Sequence, residues 1–398
     1  MRVAIVNTLY PPTTVGGAER SVAVLAEALA NSGDDVHVIA LDDTDVVSTQ
    51  RVNGVTVHRL PHENLYWPFA QHRAGPLRRV GWHLKDRGAA PAMRAVRALV
   101  TKIEPDVLHT NNLTGFGAGV ISMAGDLDLP VVHTLRDFSL LCPRASLFRA
   151  GQDCMARCHP CRMLTGPRMK AAQKVQVVIG NSDYMIDRHR RAGLFTQSEA
   201  RTIYNAVPCT GGAKPNSGTR PAAPFRIGFL GAIKPEKGIE YLLHACRMLP
   251  ARGWSLTVAG HGDGEYVARL KERYGDMPIE WAGFVGAEQV YDAVDLVVIP
   301  SIWPEPMPRV LIEAMARGLP VIVSDAGGAP EVARHYAGAA IYARRDVAML
   351  GKLLKEAVRN RPVRNPPDKD VAERFGTARL VTEYREAYRA AIAQVGHG

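Results

Sequence analysis

Short apolar runs and helical apolar stripes alternate along this chain. Val3 to Asn7 is a brief apolar run that stops before Pro11-Pro12. After Gly16-Gly17, Val22, Leu25, Ala26 and Leu29 recur at helical spacing, and Asn31-Ser32-Gly33 closes that stretch. Val36 to Ala40 is again a continuous run. Strand, glycine loop, helix and strand make a βαβ unit of a parallel sheet. The same alternation predicts a helix over 92–103, a strand over 106–109, a helix near 116–125 and strands over 130–134 and 175–180.

A Gly/Pro/Ser/Asn-rich stretch from Pro208 to Gly218 breaks the rhythm and reads as a linker, assigned to 208–224. The alternation then restarts. Strands are expected over 225–230, 254–259, 278–282, 295–299 and 320–323, and helices over 238–249, 264–274, 286–293 and 308–317. A further helix, 377–395, follows once this second unit is complete. Two successive α/β units predict two Rossmann-like parallel-sheet domains, 1–207 and 225–376, facing a cleft, with ligands at the carboxyl ends of the strands.

Composition narrows the class. With 398 residues, 46% hydrophobic and 22% charged, the chain is an ordinary globular protein of two-domain length. No apolar run approaches the roughly 20 residues that span a bilayer. The apolar start is too short for a signal peptide, so a cytoplasmic protein is expected. The net charge of +10 suits anionic partners. No nucleic-acid module is recognisable, so no nucleic-acid partner is expected. Segment 72–102 sets Arg73, Arg78, Arg79, Lys85, Arg87, Arg94, Arg97 and Lys102 against Asp86 alone, with Leu77, Val80, Trp82 and Leu84 interleaved. It reads either as a solvated helical face or as a segment lying on an anionic membrane surface, which would make the protein peripheral there.

Candidate chemistry concentrates in 300–331, PSIWPEPMPRVLIEAMARGLPVIVSDAGGAPEV. A strand runs into Ser301 and Glu305, and the next helix carries Glu313. Unpaired N–H groups at the start of that helix suit a diphosphate. Glu313 is placed to accept from ribose hydroxyls, and Glu305 to face a sugar. Lys234 and Lys237 follow the strand ending at Leu230, where a lysine can neutralise a departing diphosphate. Gly260-His261-Gly262 lies at another strand end, where glycine admits a ligand close to the backbone. Asp43-Thr44-Asp45, an acid-x-acid pattern in a polar loop, reads as incidental.

Taken together, these motifs resemble the retaining glycosyltransferases of family four, which have the GT-B fold. Glu305 and Glu313, Lys237-Gly238, the Gly260 loop and Gly327-Gly328 before Glu331 match in order and spacing. Gly16-Gly17-Ala18-Glu19-Arg20 matches that family's glycine loop, and Asn205-Ala206-Val207 its interdomain element. The resemblance implies that Glu313 holds the ribose, Glu305 the transferred sugar and Lys237 the diphosphate. It further implies backbone donors from Met307, Arg309 and Val310, and that Gly16 and Gly17 face donor phosphates or acceptor. It also implies that 377–398 packs back on the first domain. Two departures stand out. Ala232 replaces a frequent arginine, a contact Lys234 can supply, and Pro308 replaces a glycine and has no N–H to donate.

In the first domain, Arg136 stands where many relatives have a histidine, and Asp137 is the remaining local base. His133 lies a few positions early, and His109 reads as structural. Cys142, Cys154, Cys158 and Cys161 crowd an irregular insertion, 142–161, and some relatives carry a similar cluster. Four thiolates around one structural zinc is the leading expectation; an iron–sulfur cluster, disulfides and free thiols are the alternatives. Cys209 and Cys246 look unrelated to it.

The resulting expectation is a glycosyltransferase without a catalytic metal. It would move a hexose-type sugar from a UDP- or GDP-linked donor to a glycan or lipid-linked acceptor with retention. The competing readings are a GT-B epimerase or phosphorylase, and an inactive nucleotide-sugar-binding partner.

Overall fold

A computed structural model describes the chain except for residues 14, 15, 71–73, 89, 208–222, 366–368 and 397–398. Arg73, Cys209 and most of the expected linker lie outside the described residues. The chain divides into two compact units. The first comprises Met1–Leu147, Cys154–Ala206 and Thr377–Gly398; the second comprises Phe148–Asp153 and Val207–Gly376.

The first unit is built on an eight-stranded sheet. In spatial order its strands are Glu199–Thr202, Val177–Gly180, Val131–Leu135, Val107–Thr110, Arg2–Val6, Asp35–Asp42, Val55–Pro61 and Ser48–Val52. All neighbours are parallel except the last pair. Central strands such as Val107–Thr110 and Val131–Leu135 are buried throughout, and the His and Thr that each carries beside its apolar residues are buried with them. The last pair is a hairpin closed by Asn53-Gly54, both in the left-handed region. Its outer strand is mostly exposed and lacks the apolar signal of the strands inside the sheet. The core groups residues from Val3 to Ile203 with Leu380, Val381, Tyr384, Ala387, Tyr388 and Ala391 of the last helix, Thr377–Val395. Tyr384 donates or accepts at Thr134 over 3.1 Å, and Tyr388 meets His109 Nδ1 at 2.9 Å.

The second unit carries a six-stranded parallel sheet. Its spatial order is Ile279–Gly283, Trp254–Ala259, Phe225–Leu230, Leu296–Ile299, Val321–Ser324 and Ala339–Tyr342. Chain order runs outward in one direction from Phe225–Leu230 and then restarts on its other side at Leu296–Ile299. The switch point of this sheet therefore lies between those two strands, where an open α/β sheet leaves a crevice at its carboxyl edge.

Segment 72–102 contains two helices, Pro76–Gly88 and Ala90–Ile103. Asp86 is fully buried, pairs with Arg168 at 2.5 Å and accepts from the Gly115 N–H at 2.7 Å. It therefore does not offset the surface cations. Trp82 is also buried, whereas Leu77, Val80 and Leu84 are exposed beside them. No described helix is long and apolar enough to cross a membrane.

Candidate active site

The two loops at the second sheet's switch point bring Lys237 and Glu305 together. Lys237 ends a single 3-10 turn, Pro235–Lys237, after strand Phe225–Leu230; Glu305 lies in the loop after strand Leu296–Ile299. The ammonium stands 2.8 Å from Glu305 Oε1 and 5.3 Å from the centre of the Trp303 ring. Ser301 donates its hydroxyl to the same carboxylate oxygen, and Ser324 Oγ donates to the Ser301 carbonyl over 2.6 Å. The loop is seated from below by Gly328 N–H donating to the Glu305 carbonyl at 2.8 Å. Gly327, at φ +64, permits this approach, since a Cβ there would lie 2.1 Å from that carbonyl oxygen. Glu305 is 5% exposed, so its carboxylate is held rather than solvated.

A second carboxylate lies just beyond. Pro308 caps helix Arg309–Ala316, whose first N–H groups have no partner within the helix. One turn in, Glu313 Oε1 accepts from Arg309 at 3.0 Å and Glu313 Oε2 accepts from the buried Tyr291 hydroxyl at 2.9 Å. Val310 belongs to the same first turn, and Met307, just before it, is buried. Lys234 is exposed at the entrance to the lysine loop. Gly260 ends strand Trp254–Ala259 at φ +138, and a Cβ there would meet the Gly231 carbonyl at 1.9 Å. Contact between two strand-end loops is thus enough to demand this glycine.

The first unit has its own polar cluster at the carboxyl edge of its sheet. Arg136, 8% exposed, donates to Asn111 Oδ1 at 2.7 Å and to Asn205 Oδ1 at 2.8 Å. Asp137 accepts from Asn112 Nδ2 at 2.6 Å and from the Ser139 N–H at 2.7 Å. Burial raises the Asp137 pKa, and those hydrogen bonds work against it. Gly16 and Gly17 are exposed at the start of helix Gly17–Asn31, where the Gly16 N–H donates to Glu19 at 2.9 Å. His133 turns inward to Thr110 at 2.8 Å and stacks on Phe195; burial, then His189 and Arg136, pull its pKa down to about 3. His109, also kept neutral by burial, bridges Thr134 and Tyr388.

Two family models cover the chain between them. The one described as Glycosyltransferase Family 4 matches residues 15–210, and the one described as Glycosyl transferases group 1 matches 213–374. The chain is 31% identical to an uncharacterized 42.6 kDa protein in the cps region of Klebsiella pneumoniae, over 84% of this chain and 88% of that one. This chain belongs to glycosyltransferase family 4. It is an enzyme of that family with the GT-B fold. Sucrose-phosphate synthase of Thermosynechococcus elongatus superposes with a TM-score of 0.75 at 20% identity, covering 99% of each chain. Anabaena HepE in complex with UDP superposes with a TM-score of 0.71 at 18% identity, covering 97% of this chain and 99% of that one.

The cysteine insertion of this family 4 enzyme gives the zinc expectation no support. Among the described residues no group of three or more His, Cys, Asp and Glu is arranged to hold a metal ion. The Cys158 and Cys161 sulfurs lie 3.4 Å apart at the start of helix His159–Ala172, and Cys142 reaches Cys161 from the buried side. Burial and these two neighbours push the Cys161 thiol up to about 12. Cys154 is tied elsewhere through its backbone, its N–H to Leu147 and its carbonyl to Arg188. Cys142, Cys158 and Cys161 thus lie close to one another, and the fourth cysteine of the insertion, Cys154, is half-buried. Cys246 is buried alone in the second unit's core.

Sequence reasoning missed Tyr291, Trp303, Asn111 and Asn112. The asparagine pair directly follows a fully buried strand, at the carboxyl edge where ligands bind, a signal that was there to read. Tyr291 is 22 residues from Glu313, and only the sheet topology joins them.

Proposed function

We propose that this enzyme transfers a hexose from a UDP- or GDP-linked donor to a glycan or lipid-linked acceptor in the assembly of a surface polysaccharide, with retention and without a catalytic metal. The observation that carries the reading is the Lys237–Glu305 pair at the second sheet's switch point, one loop away from Glu313 and the start of its helix. Lys237 supplies positive charge where the departing diphosphate gains negative charge. The first turn of helix Arg309–Ala316 adds oriented N–H groups through Arg309 and Val310, with Lys234 beside them. Glu305, steadied by Ser301, receives hydroxyls of the transferred sugar. Glu313 exchanges its Arg309 contact for the ribose hydroxyls, leaving Arg309 to the phosphates. Arg136 and Asp137 serve the acceptor-side unit, Arg136 as a fixed positive charge that cannot act as a base at neutral pH.

UDP in the HepE complex and the cps-region relative support the donor class and the biosynthetic setting. Thermal shifts against UDP, GDP and ADP, followed by transfer assays with the matching nucleotide sugars, test the donor. An NMR reading of the product's anomeric configuration tests retention; an inverted product refutes it.

The exposed Leu77, Val80 and Leu84 among the arginines and lysines of helix Pro76–Gly88 support docking on an anionic membrane surface, where a lipid-linked acceptor resides. Each cation near such a surface contributes about 1 kcal/mol. Flotation with phosphatidylglycerol vesicles should carry the enzyme upward at low salt and release it at high salt. No flotation at low salt would leave a soluble acceptor.

A further inference from the structure

A cavity of about 390 Å³ in the first unit is lined by four arginines, Arg157, Arg162, Arg188 and Arg191. Two come from the cysteine insertion and the first turn of helix His159–Ala172; two come from the end of helix Asp183–Arg190 and the residue after it. Among the described residues no Asp or Glu lines the cavity. The local bonds of these arginines go to neutral groups. Arg157 donates to Thr165 at 3.2 Å, Arg162 to the Arg157 carbonyl at 3.1 Å, and Arg188 to the Cys154 carbonyl at 2.9 Å. The Arg188 Nε is buried without a hydrogen-bond partner. Basic residues at a helix end ordinarily complement its carbonyls. Here four cationic residues border one space, and mutual repulsion disfavours that arrangement until an anion fills it. Leu141 and Leu147 add buried apolar wall, and Met155 stands 81% exposed at the rim.

We propose that this cavity binds a phosphate or diphosphate ester, the anionic group of the acceptor. Guanidinium forks match phosphate oxygens two at a time, and four of them exceed the needs of a single carboxylate. The volume lies in the range of small-ligand pockets and admits a diphosphate together with part of what it is esterified to. Every lining residue belongs to the first unit, whereas the residues proposed for the donor diphosphate belong to the second. The anion is therefore a second one. That it belongs to the acceptor rests on the transferase reading above.

The test is a calorimetric titration of the whole protein with inorganic pyrophosphate in saturating UDP, so that the donor position is already filled. Wild type should bind. Arg188→Gln/Arg191→Gln should weaken binding at least tenfold, and the single change Arg162→Gln, on an exposed residue, several-fold, with UDP affinity and melting temperature unchanged. Farnesyl diphosphate in micelles and glucose 1-phosphate then distinguish a lipid ester from a soluble sugar phosphate. Equal pyrophosphate affinity in wild type and Arg162→Gln, or no binding by wild type, overturns the proposal. Failure of wild type to bind any nucleotide, with arginine-dependent pyrophosphate binding intact, would instead sink the donor assignment and leave the cavity standing.

Discussion

Lys237 and Glu305 neutralise one another across 2.8 Å, and either one removed leaves the other's charge in a largely buried loop. Glu313 is different, because Arg309 and Tyr291 hold its two oxygens apart from that pair. The two carboxylates should therefore fail in different ways. Lys237→Ala is expected to lower turnover more than a hundredfold, since the lost charge acts where charge develops. Glu313→Ala should raise the Kd for the nucleotide roughly tenfold or more, the scale of a lost charged hydrogen bond, while Glu305→Ala lowers turnover with little effect on nucleotide affinity. Single-turnover kinetics with parallel titrations separate these outcomes. A Lys237→Ala enzyme within threefold of wild type would move the diphosphate role to Lys234 or Arg309.

At the scale of elements, helix Pro76–Gly88 is fastened by the one acid it contains. Asp86 ties it to Arg168 of helix His159–Ala172 and to the Gly115 N–H, and Arg168 reaches on to the Ser139 carbonyl. Asp86→Ala leaves a buried guanidinium unpaired and should cost about 3–5 kcal/mol, the usual penalty for breaking a buried pair. Urea denaturation checks this, and a loss below 1 kcal/mol would show that water reaches Arg168. In sequence Asp86 looked like a stray acid among cations, because its burial depends on a helix some eighty residues later. Most of the parallel strands were legible from their apolar runs, to within one or two residues at their ends, whereas the partly exposed edge strands Glu199–Thr202 and Ala339–Tyr342 were not read. Hairpin Ser48–Val52/Val55–Pro61 was not read, although Asn53-Gly54 is a strong hairpin signal; its exposed outer strand hides the two-residue period. Glu305, Glu313 and Lys237 were legible because each sits at a strand end or first helical turn. The cysteines were legible as a cluster, and Cys142, Cys158 and Cys161 do gather, but crowding in sequence does not by itself define a ligand geometry.

For the whole molecule, acid is the revealing variable. His109, His133 and His189 are buried and neutral; burial above all pulls His133 down to about 3 and His189 to about 4, and places His109 well below its ordinary value. Unfolded, each titrates near 6.5. The unfolded chain therefore binds more protons below that pH, and stability falls as pH drops from about 6.5 toward 4. The raised carboxyls of Asp86 and Asp137 carry the opposite sign, above the ordinary carboxylate range. Burial also lowers His58, His83 and His335, so the lowered imidazoles outnumber the two raised carboxyls and the melting temperature should be lower at pH 5 than at pH 7.5. A transition that stays level or rises over that interval would mean that these rings gain partners on protonation.

The last helix completes a core begun by the first strand: Leu380, Val381, Tyr384, Tyr388 and Ala391 lie against Val3, Ile5 and Leu25, with Val207–Gly376 intervening in the chain. A ribosome making this protein releases the first unit's sheet long before the helix that covers it. Until residues 377–395 emerge, the nascent chain carries an open apolar groove at its leading end, a target for chaperones and for neighbouring nascent chains. Translation that stops early thus yields an uncovered first unit rather than a working half-enzyme.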